Sequence, residues 1–293
     1  MAYNVQAIVE STTYEMYNGA PFWVVSMTGV GIGPVSRLES KGAQQNGSTD
    51  VGYLLENRLL NIEMFINGVS KIATEGHRDT LAAILRPRNT PVKWKVTRND
   101  GAIRQIDGYL VGMADMPAIR GQSFGGGQTV IVQLKCNNPS WYDPELQNIP
   151  FFIAPGGIEG WQFPLLFPWN QEAGNIIDQT ITVDYAGSAP TYPEIVLTGP
   201  GDDPVIRNLD TGEVLEFEGT IPSGDAWTVT ITEDSADVTN EAGDSVLEYL
   251  TEDSDLGTFH LEPGSNDIQV QILTGATVET SASLRYYKRY SNQ

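Results

Sequence analysis

The fold class of the first half is decided by residues 92–110, VKWKVTRNDGAIRQIDGYL. Apolar side chains alternate with polar ones over residues 92–97, and this period of two indicates a half-buried β-strand. The turn Asn99-Asp100-Gly101 follows, and an Asp-Gly pair supplies the positive φ values that a tight hairpin requires. Residues 103–110 are therefore expected to return as the second strand of an antiparallel hairpin.

The remainder of the first half adds strands, one helix and a long loop. Residues 29–52 show little periodicity and much Gly, Ser and Gln. A long exposed loop or arm is expected there, of the kind that often serves an interface. The further strands are expected at residues 3–9, 22–28, 59–66 and 129–134. The helix is expected with Thr74 as its N-cap, Pro87 as its stop, and an apolar face of Leu81, Ile84 and Leu85.

The second half repeats short strands with turn signals at regular spacing, which is typical of a β-sandwich or jelly roll. Trp227, Val229 and Ile231 alternate with threonines and are expected to face the core. No apolar period of helix length appears after residue 176. The expected strands are residues 179–185, 193–198, 205–209, 213–217, 226–232, 246–250, 258–261, 267–273 and 281–287.

Charge divides the 293-residue chain into two parts. Residues 1–142 hold 13 Lys+Arg and 11 Asp+Glu, whereas residues 143–293 hold 4 and 26, and the whole chain carries −20. Such asymmetry supports two separately folded units. The expected organisation is a near-neutral β domain over 1–142, a connector rich in proline and aromatic residues over 143–176, and an acidic β-sandwich over 177–293. The fold class is thus mainly β, with an N-terminal β-barrel or sandwich that carries one helix.

Composition excludes several classes of protein. Hydrophobic residues make up 40 % of the chain, which is globular composition and excludes a disordered chain or a coiled coil. The single cysteine, Cys136, cannot form an intramolecular disulfide, and with His77 and His260 it cannot supply the usual zinc ligand count. No run approaches the ~18 apolar residues that span a bilayer, and no signal peptide is visible, so synthesis in a cytoplasm is expected. The acidic half carries the opposite of a nucleic-acid binder's basic footprint.

Motifs for catalysis or ligand binding are weak. Asp210-Thr211-Gly212 matches the triplet of aspartic proteases, but a dyad needs a second copy, and the flanking strands predict an exposed turn instead. Residues 29–33 are rich in glycine but lack the spacing and following helix of a phosphate cradle. His77 and His260 are interpreted as structural, with a spatial Ser-His-Asp triad left open. Residues 234–255 lack an EF-hand loop, which leaves open only calcium held by scattered carboxylates. No catalytic, cofactor-binding or metal residue is assigned.

Several short motifs follow one another in an order that points to a family. The first half contains Gly33-Pro34-Val35, Asp50-Val51-Gly52, Arg58-Leu59-Leu60-Asn61-Ile62, Arg78-Asp79-Thr80-Leu81 and Leu134-Lys135-Cys136-Asn137-Asn138-Pro139. The second half contains Pro190-Thr191-Tyr192-Pro193, Thr198-Gly199-Pro200, Pro204-Val205-Ile206-Arg207-Asn208, Thr211-Gly212-Glu213 and Leu261-Glu262-Pro263-Gly264-Ser265-Asn266. In this order the chain resembles the siphophage distal tail proteins over nearly its whole length. The acidity of the second half departs from the family pattern.

The resemblance implies a fold and a role. It implies a galectin-like β-sandwich for the acidic domain, and a structural virion protein at the tail tip rather than an enzyme. Subunits of the family form a ring, commonly a hexamer, that joins the tail tube to the tip or host-adsorption apparatus. The implied partners are further copies of the chain, the tail tube protein, the tail-tip hub protein, and receptor-binding proteins or fibres. No cofactor is implied.

A different class of function stays open beside this one. The acidic sandwich could belong to a carbohydrate-binding host-attachment protein that uses exposed aromatic side chains, and fold alone does not decide the matter. An enzyme ranks third. A glycan array and a mass measurement separate the first two.

Two expectations concern assembly. Residues 1–142 are expected to supply the ring contacts, because their near-neutral charge lets like subunits approach whereas strongly acidic units repel. A chain truncated after the connector is therefore expected to remain oligomeric. The connector aromatics are expected to pack between the domains or against a neighbouring subunit, since exposed they would form a large apolar patch. These side chains are Trp141, Phe151, Trp161, Phe163, Phe167 and Trp169.

Overall fold

A computed structural model of the protein describes residues 4–17, 21–112, 114–116, 127–152 and 176–293. Contacts divide it into two compact units, Met1–Pro144 with Arg289–Gln293, and Glu145–Lys288. The fold is mainly β, as the sequence predicts. One difference concerns residues 289–293, which the sequence assigns to the acidic domain and which the structure places in the N-terminal unit.

The described residues of the N-terminal unit form one bent antiparallel sheet, one helix and one separate hairpin. The sheet has the order β2-β1-β7-β8-β9-β6-β3, and β4 pairs only with β5. The elements are β1 (Asn4–Val9), β2 (Thr12–Met16), β3 (Phe22–Thr28), β4 (Val35–Ser40), β5 (Thr49–Leu55), β6 (Arg58–Asn67), α1 (Lys71–Leu85), β7 (Val92–Thr97), β8 (Ile103–Leu110), β9 (Gly127–Cys136) and the start of β10 (Trp141–Phe151).

The hairpin of residues 92–110 forms as the sequence predicts. Its register runs from Val92 opposite Gly108 to Thr97 opposite Ile103, and Gly101 in the turn has a φ of +84°. Trp94 faces inward and is fully buried. The sheet bends so that the inward side chains of both its halves meet in one core, which α1 also enters.

The helix begins four residues earlier than the sequence suggests. Ser70, rather than Thr74, is the N-cap, and its side chain accepts a hydrogen bond from the backbone N–H of Ala73. Thr74 instead lies in the first turn, where its hydroxyl donates to the Ser70 carbonyl. Both residue types suit a cap, so the pattern alone could not distinguish them. The expected apolar face of Leu81, Ile84 and Leu85 is buried.

The second unit is a sandwich of two antiparallel sheets that share a core, and the second of them continues from β20 to β10. One sheet has the order β11-β19-β14-β15 and the other β18-β17-β12-β20. Trp227, Val229 and Ile231 are buried, as the alternation of β17 predicts. The strands are β11 (Ile177–Tyr185), β12 (Glu194–Thr198), β13 (Gly201–Asp202), β14 (Val205–Asn208), β15 (Val214–Glu216), β16 (Thr220–Ile221), β17 (Ala226–Ile231), β18 (Ala236–Thr239), β19 (Gly264–Ile272) and β20 (Ser281–Tyr290).

Two expected strands of the second unit are wrong. Residues 246–250 contain a 3₁₀ turn, Leu247–Tyr249. Residues 258–261 contribute only a single bridge, between Leu261 and Thr191, because the preceding backbone turns back to bond the Asp255 carbonyl. Phe259 and Leu261 are nevertheless buried, so their alternation reflects inward packing of irregular chain.

The expected connector begins as a regular strand. β10 continues through residues 145–151, so the N-terminal part of 143–176 is ordered sheet. Trp141 lies in the core of the N-terminal unit and Phe151 in that of the second unit, so each is covered within its own unit. Trp161, Phe163, Phe167 and Trp169 lie outside the described residues.

Candidate assembly surface

The segment expected to be an exposed loop, residues 29–52, is largely an exposed β-hairpin. β4 and β5 form a two-stranded sheet of their own, and nearly every residue in it is exposed on both faces. We call residues 32–55 the apolar hairpin. A two-stranded hairpin on its own is marginally stable in water. Within one copy of the chain, this hairpin buries little of its own surface.

Apolar side chains occupy both faces of the apolar hairpin. Val35 opposes Leu55 on the face that also carries Tyr53, which is 58 % exposed. Leu54, 56 % exposed, lies on the other face with Leu38. Seven large apolar side chains are exposed within about two dozen residues, namely Ile32, Val35, Leu38, Val51, Tyr53, Leu54 and Leu55. Apolar surface concentrated in this way marks a protein interaction site.

The tip of the apolar hairpin is held by its own polar groups. Arg37 pairs with Asp50 at 2.9 Å, and the Ser48 hydroxyl donates to Glu39 at 2.6 Å. Gln45 accepts from the N–H of Gly42 and donates to the Thr49 hydroxyl. The ion pair is more than half exposed and stabilises the hairpin little. These contacts shape the tip without covering its apolar side chains.

The base of the apolar hairpin is organised by a buried arginine that the sequence reading did not single out as a site. Arg58 is 1 % exposed and starts β6, directly after the hairpin returns. It donates to four backbone carbonyls: Nη1 to Gly29 at 2.6 Å and to Gly31, Nε to Pro139 at 2.6 Å, and Nη2 to Ser291 at 2.9 Å. Burial lowers the pKa of Arg58, and Cys136 partly opposes this. Burial disfavours the charged form of each group, and it therefore raises the pKa of the Cys136 thiol to about 12.

The glycine-rich segment 29–33 serves this base and has a structural explanation. Gly29 has a φ of +85°, and a Cβ there would lie 2.1 Å from the Leu59 carbonyl oxygen. A Cβ on Gly33 would lie 3.3 Å from Nη2 of Arg58. Glycine is therefore required at position 29, beside β6. The carbonyls of Gly29 and Gly31 bind a guanidinium, whereas a phosphate cradle would use the N–H groups of the segment.

Asp210-Thr211-Gly212 forms the expected exposed turn. It joins the antiparallel strands β14 and β15, and Gly212 has a φ of +81°. The Asp210 carboxylate accepts a hydrogen bond from the backbone N–H of Asp267. The triplet therefore ties a turn to β19.

His260 lies between two carboxylates beside this turn. Its Nε2 is 3.0 Å from Glu262, and its Nδ1 is 3.0 Å from Glu213 and 2.6 Å from the Thr258 carbonyl. Both ring nitrogens face acceptors, an arrangement that suits the doubly protonated imidazolium. Burial lowers the pKa of His260, but the bonds to Glu262 and Thr258 and the charges of Glu213 and Glu262 outweigh it, so the pKa is raised above 6.5.

We expect the second unit to lose stability as the pH rises through the His260 pKa. Because the folded-state pKa is raised, the stabilisation is fully present below pH 6.5 and is lost above the folded value. The loss should be at most about 1 kcal/mol, the contribution of one partly exposed ion pair. Urea unfolding at pH 6 and pH 9 measures it. His260→Gln should flatten this dependence, whereas His77→Gln, in the other unit, should leave it in place; an unchanged dependence in His260→Gln would contradict the assignment.

Across residues 4–17, 21–112, 114–116, 127–152 and 176–293, no group of three or more His, Cys, Asp or Glu side chains is placed to hold a metal ion. No helix within those ranges is long and apolar enough to cross a membrane. The aromatic residue best suited to stack on a sugar, Trp227, is buried, where it stacks on Tyr249 at 5.0 Å.

Comparison with known proteins gives a family match and a fold match. Residues 186–290 match the model of the siphovirus-type tail component, C-terminal domain. No curated protein matches the chain.

Solved structures match over the full length. The crystal structure of SPP1 Dit, described as a paradigm of the hub adsorption apparatus in phages infecting Gram-positive hosts, is 14 % identical, with a TM-score of 0.65 over 97 % of this chain and 98 % of that one. A chain of the phage P2 baseplate, activated with Ca, is 10 % identical, with a TM-score of 0.54 over 100 % of both chains. The same baseplate activated with Sr gives 10 % identity and a TM-score of 0.51, over 100 % of this chain and 99 % of that one.

These matched proteins are described as components of a phage tail, a hub adsorption apparatus and a baseplate. The resemblance inferred from the order of the sequence motifs is thereby confirmed: residues 186–290 match the C-terminal domain of the siphovirus-type tail components, and the chain has the fold of the SPP1 Dit hub protein.

Proposed function

We propose that this chain is a distal tail protein, a structural component of a phage tail tip whose copies form a ring, most simply a homohexamer. The apolar hairpin is the single observation that carries this proposal. It is exposed on both faces in one copy of the chain, and a ring with head-to-tail contacts gives each hairpin a neighbour to pack on.

A second copy of this chain is the occupant that the charges favour. The N-terminal domain is near neutral, with 13 Lys+Arg and 11 Asp+Glu in residues 1–142, so copies can bring these surfaces together. The second domain, with 4 and 26, repels its own copies at low salt. Contacts between N-terminal domains therefore cost least in electrostatic energy. The hydrophobic surface of the hairpin supplies the attraction.

The ring joins the tail tube to the tip or host-adsorption apparatus. Its partners are the tail tube protein and the tail-tip hub protein, with receptor-binding proteins or fibres as further partners of the acidic domain. Support comes from the hub and baseplate proteins whose fold the chain shares. The chain acts in the virion as a scaffold without catalysis.

Carbohydrate binding by the second domain gains no support from its one tryptophan. Trp227 is the only tryptophan of residues 176–293, and it is 2 % exposed. Stacking on a sugar needs an exposed ring face. Tyr249 and Tyr287 are 37 % and 41 % exposed, so glycan binding stays the second candidate. The fold shared with hub and baseplate proteins favours the distal tail assignment.

Location in the virion tests the assignment. An antibody raised against the purified full-length chain, used with gold label on intact virions in electron microscopy, should bind at the distal end of the tail. The same antibody absorbed with excess chain is the control. Label along the tube, on the capsid, or absent from virions that contain the chain by immunoblot would contradict the proposal.

Truncation after the connector, the test that follows from the sequence analysis, does not isolate the ring contacts. A chain that stops after the connector would also lack residues 289–293, which belong to the N-terminal unit. Point substitutions in the full-length chain separate the two effects.

A further inference from the structure

Residues 290–293, which we call the strap, return to the N-terminal unit after the whole of the second unit. Ser291 offers its carbonyl to Nη2 of Arg58 at 2.9 Å. The backbone N–H of Gln293 donates to the Val30 carbonyl at 3.0 Å, and Nη1 of Arg98 donates to the Gln293 carbonyl at 3.2 Å. The guanidinium of Arg104 lies over the ring of Tyr290, 3.1 Å from its centroid. Three arginines and the Val30 carbonyl therefore bind Tyr290, Ser291 and Gln293 of the strap.

The strap binds the part of the N-terminal unit from which the apolar hairpin projects. Val30, its backbone partner, lies between Gly29 and Gly31, whose carbonyls share Nη1 of Arg58. This segment leads into β4, and Arg58 follows β5, so both ends of the hairpin meet at one side chain. The base is closed by a hydrogen bond from the Glu56 N–H to the Pro34 carbonyl at 2.9 Å.

Without the strap, Nη2 of Arg58 and the Val30 carbonyl each lose the partner described above. A buried charged donor without an acceptor is costly, and the local structure relaxes to find water. Relaxation of Arg58 would release the carbonyls of Gly29 and Gly31 together, because the same side chain binds them. This segment leads directly into β4 of the hairpin.

We propose that the strap locks the base of the apolar hairpin and so positions it for self-assembly. The positioning role deepens the proposed function, on which its consequence for assembly rests. Because the strap follows the second unit in the chain, the hairpin is fixed only after that unit has been synthesised. Chains that are still incomplete therefore present a loosely held hairpin.

Hydrogen exchange on the full-length protein tests the lock directly. The test variant is Tyr290→Leu with Gln293→Pro, which removes the ring under Arg104 and the N–H that bonds Val30. We expect the Glu56 amide and the β4–β5 amides to exchange about tenfold faster or more, because release of the strap also takes the Ser291 carbonyl away from the charged Arg58. Amides of β11 and β19, in the second unit, should be unchanged. Asn292→Ala, an exposed strap residue, is the matched control and should exchange like the wild type.

The outcomes distinguish the role of the strap at the base of the hairpin from the self-assembly of the chain. Unchanged exchange at Glu56 in the double variant overturns the lock, whatever the oligomeric state. Faster exchange in a variant that assembles as tightly as a self-associating wild type overturns the positioning role. If the wild type is monomeric, the proposed function fails on that measurement alone, while exchange at Glu56 still decides the lock.

Discussion

Arg58→Met should destabilise the N-terminal unit by about 4 kcal/mol or more, one of the two largest effects we expect. The substitution removes donors from four backbone carbonyls at once, those of Gly29, Gly31, Pro139 and Ser291. Each buried acceptor left without a partner costs about 1–3 kcal/mol. Methionine fills a similar volume, so the loss reflects the hydrogen bonds more than a cavity.

Calorimetry of the full-length chain measures this effect. The transition of the N-terminal unit should fall by about 10 °C or more, and that of the second unit should stay in place. Arg58→Lys should fall between wild type and methionine, since one ammonium cannot reach four carbonyls in different directions. Arg78→Met, on the half-exposed surface of α1, is the matched control. A shift of less than about 2 °C in Arg58→Met would show that the buried arginine does not hold the unit.

The second large effect is expected on assembly. Tyr53→Asp with Leu55→Asp places two charges on one face of the apolar hairpin, opposite Arg37 and Val35. Arg37 already pairs with Asp50, and Leu55 faces only Val35, so the new aspartates would be buried at the interface without a free cationic partner. Such burial costs several kcal/mol, so the subunit dissociation constant should rise by about a thousandfold or more. Neither side chain is buried within one copy, so the monomer fold should survive.

Sedimentation velocity over a range of concentrations follows this dissociation. The matched control is Leu273→Asp with Val278→Asp, which adds two aspartates at exposed apolar positions of the second unit. Circular dichroism checks that both double variants remain folded. Equal association of the hairpin variant and the wild type would remove the hairpin from the interface.

The strands could be predicted from the sequence where one face of the strand is buried and the other is exposed to solvent. β7, β8 and β17 show this, because alternation of apolar and polar side chains is a direct consequence of a half-buried strand. The same signal misled at residues 258–261, where Phe259 and Leu261 point inward from irregular chain. Burial sets the pattern, and backbone hydrogen bonding does not follow from it.

The apolar hairpin escaped prediction as a pair of strands for the opposite reason. With both faces exposed, β4 and β5 have no reason to alternate, and the segment has the composition of a loop. Its exposure agrees with the sequence-based expectation of an exposed arm, and its role in an interface stays a prediction. Its apolar residues, such as Tyr53 and Leu54, indicate an interaction surface only once the structure shows that they are exposed.

The sequence contains a signal for the buried arginine at the base of the hairpin. Residues 58, 60, 62, 64 and 66 are all buried along β6, so Arg58 stands at an inward position of a regular alternation. An arginine at such a position must find acceptors inside the protein. Which acceptors it finds depends on Ser291, 233 residues away, and no local pattern encodes that contact.

Native mass spectrometry of the full-length wild-type chain tests self-assembly most directly. A ring hub predicts one closed species, six times the 32.0 kDa of a single chain, that persists on dilution and disappears in the Tyr53→Asp, Leu55→Asp variant. A wild-type chain that remains a 32.0 kDa monomer at every protein concentration measured would contradict self-assembly into a ring. An open series of masses without a closed species would contradict it as well.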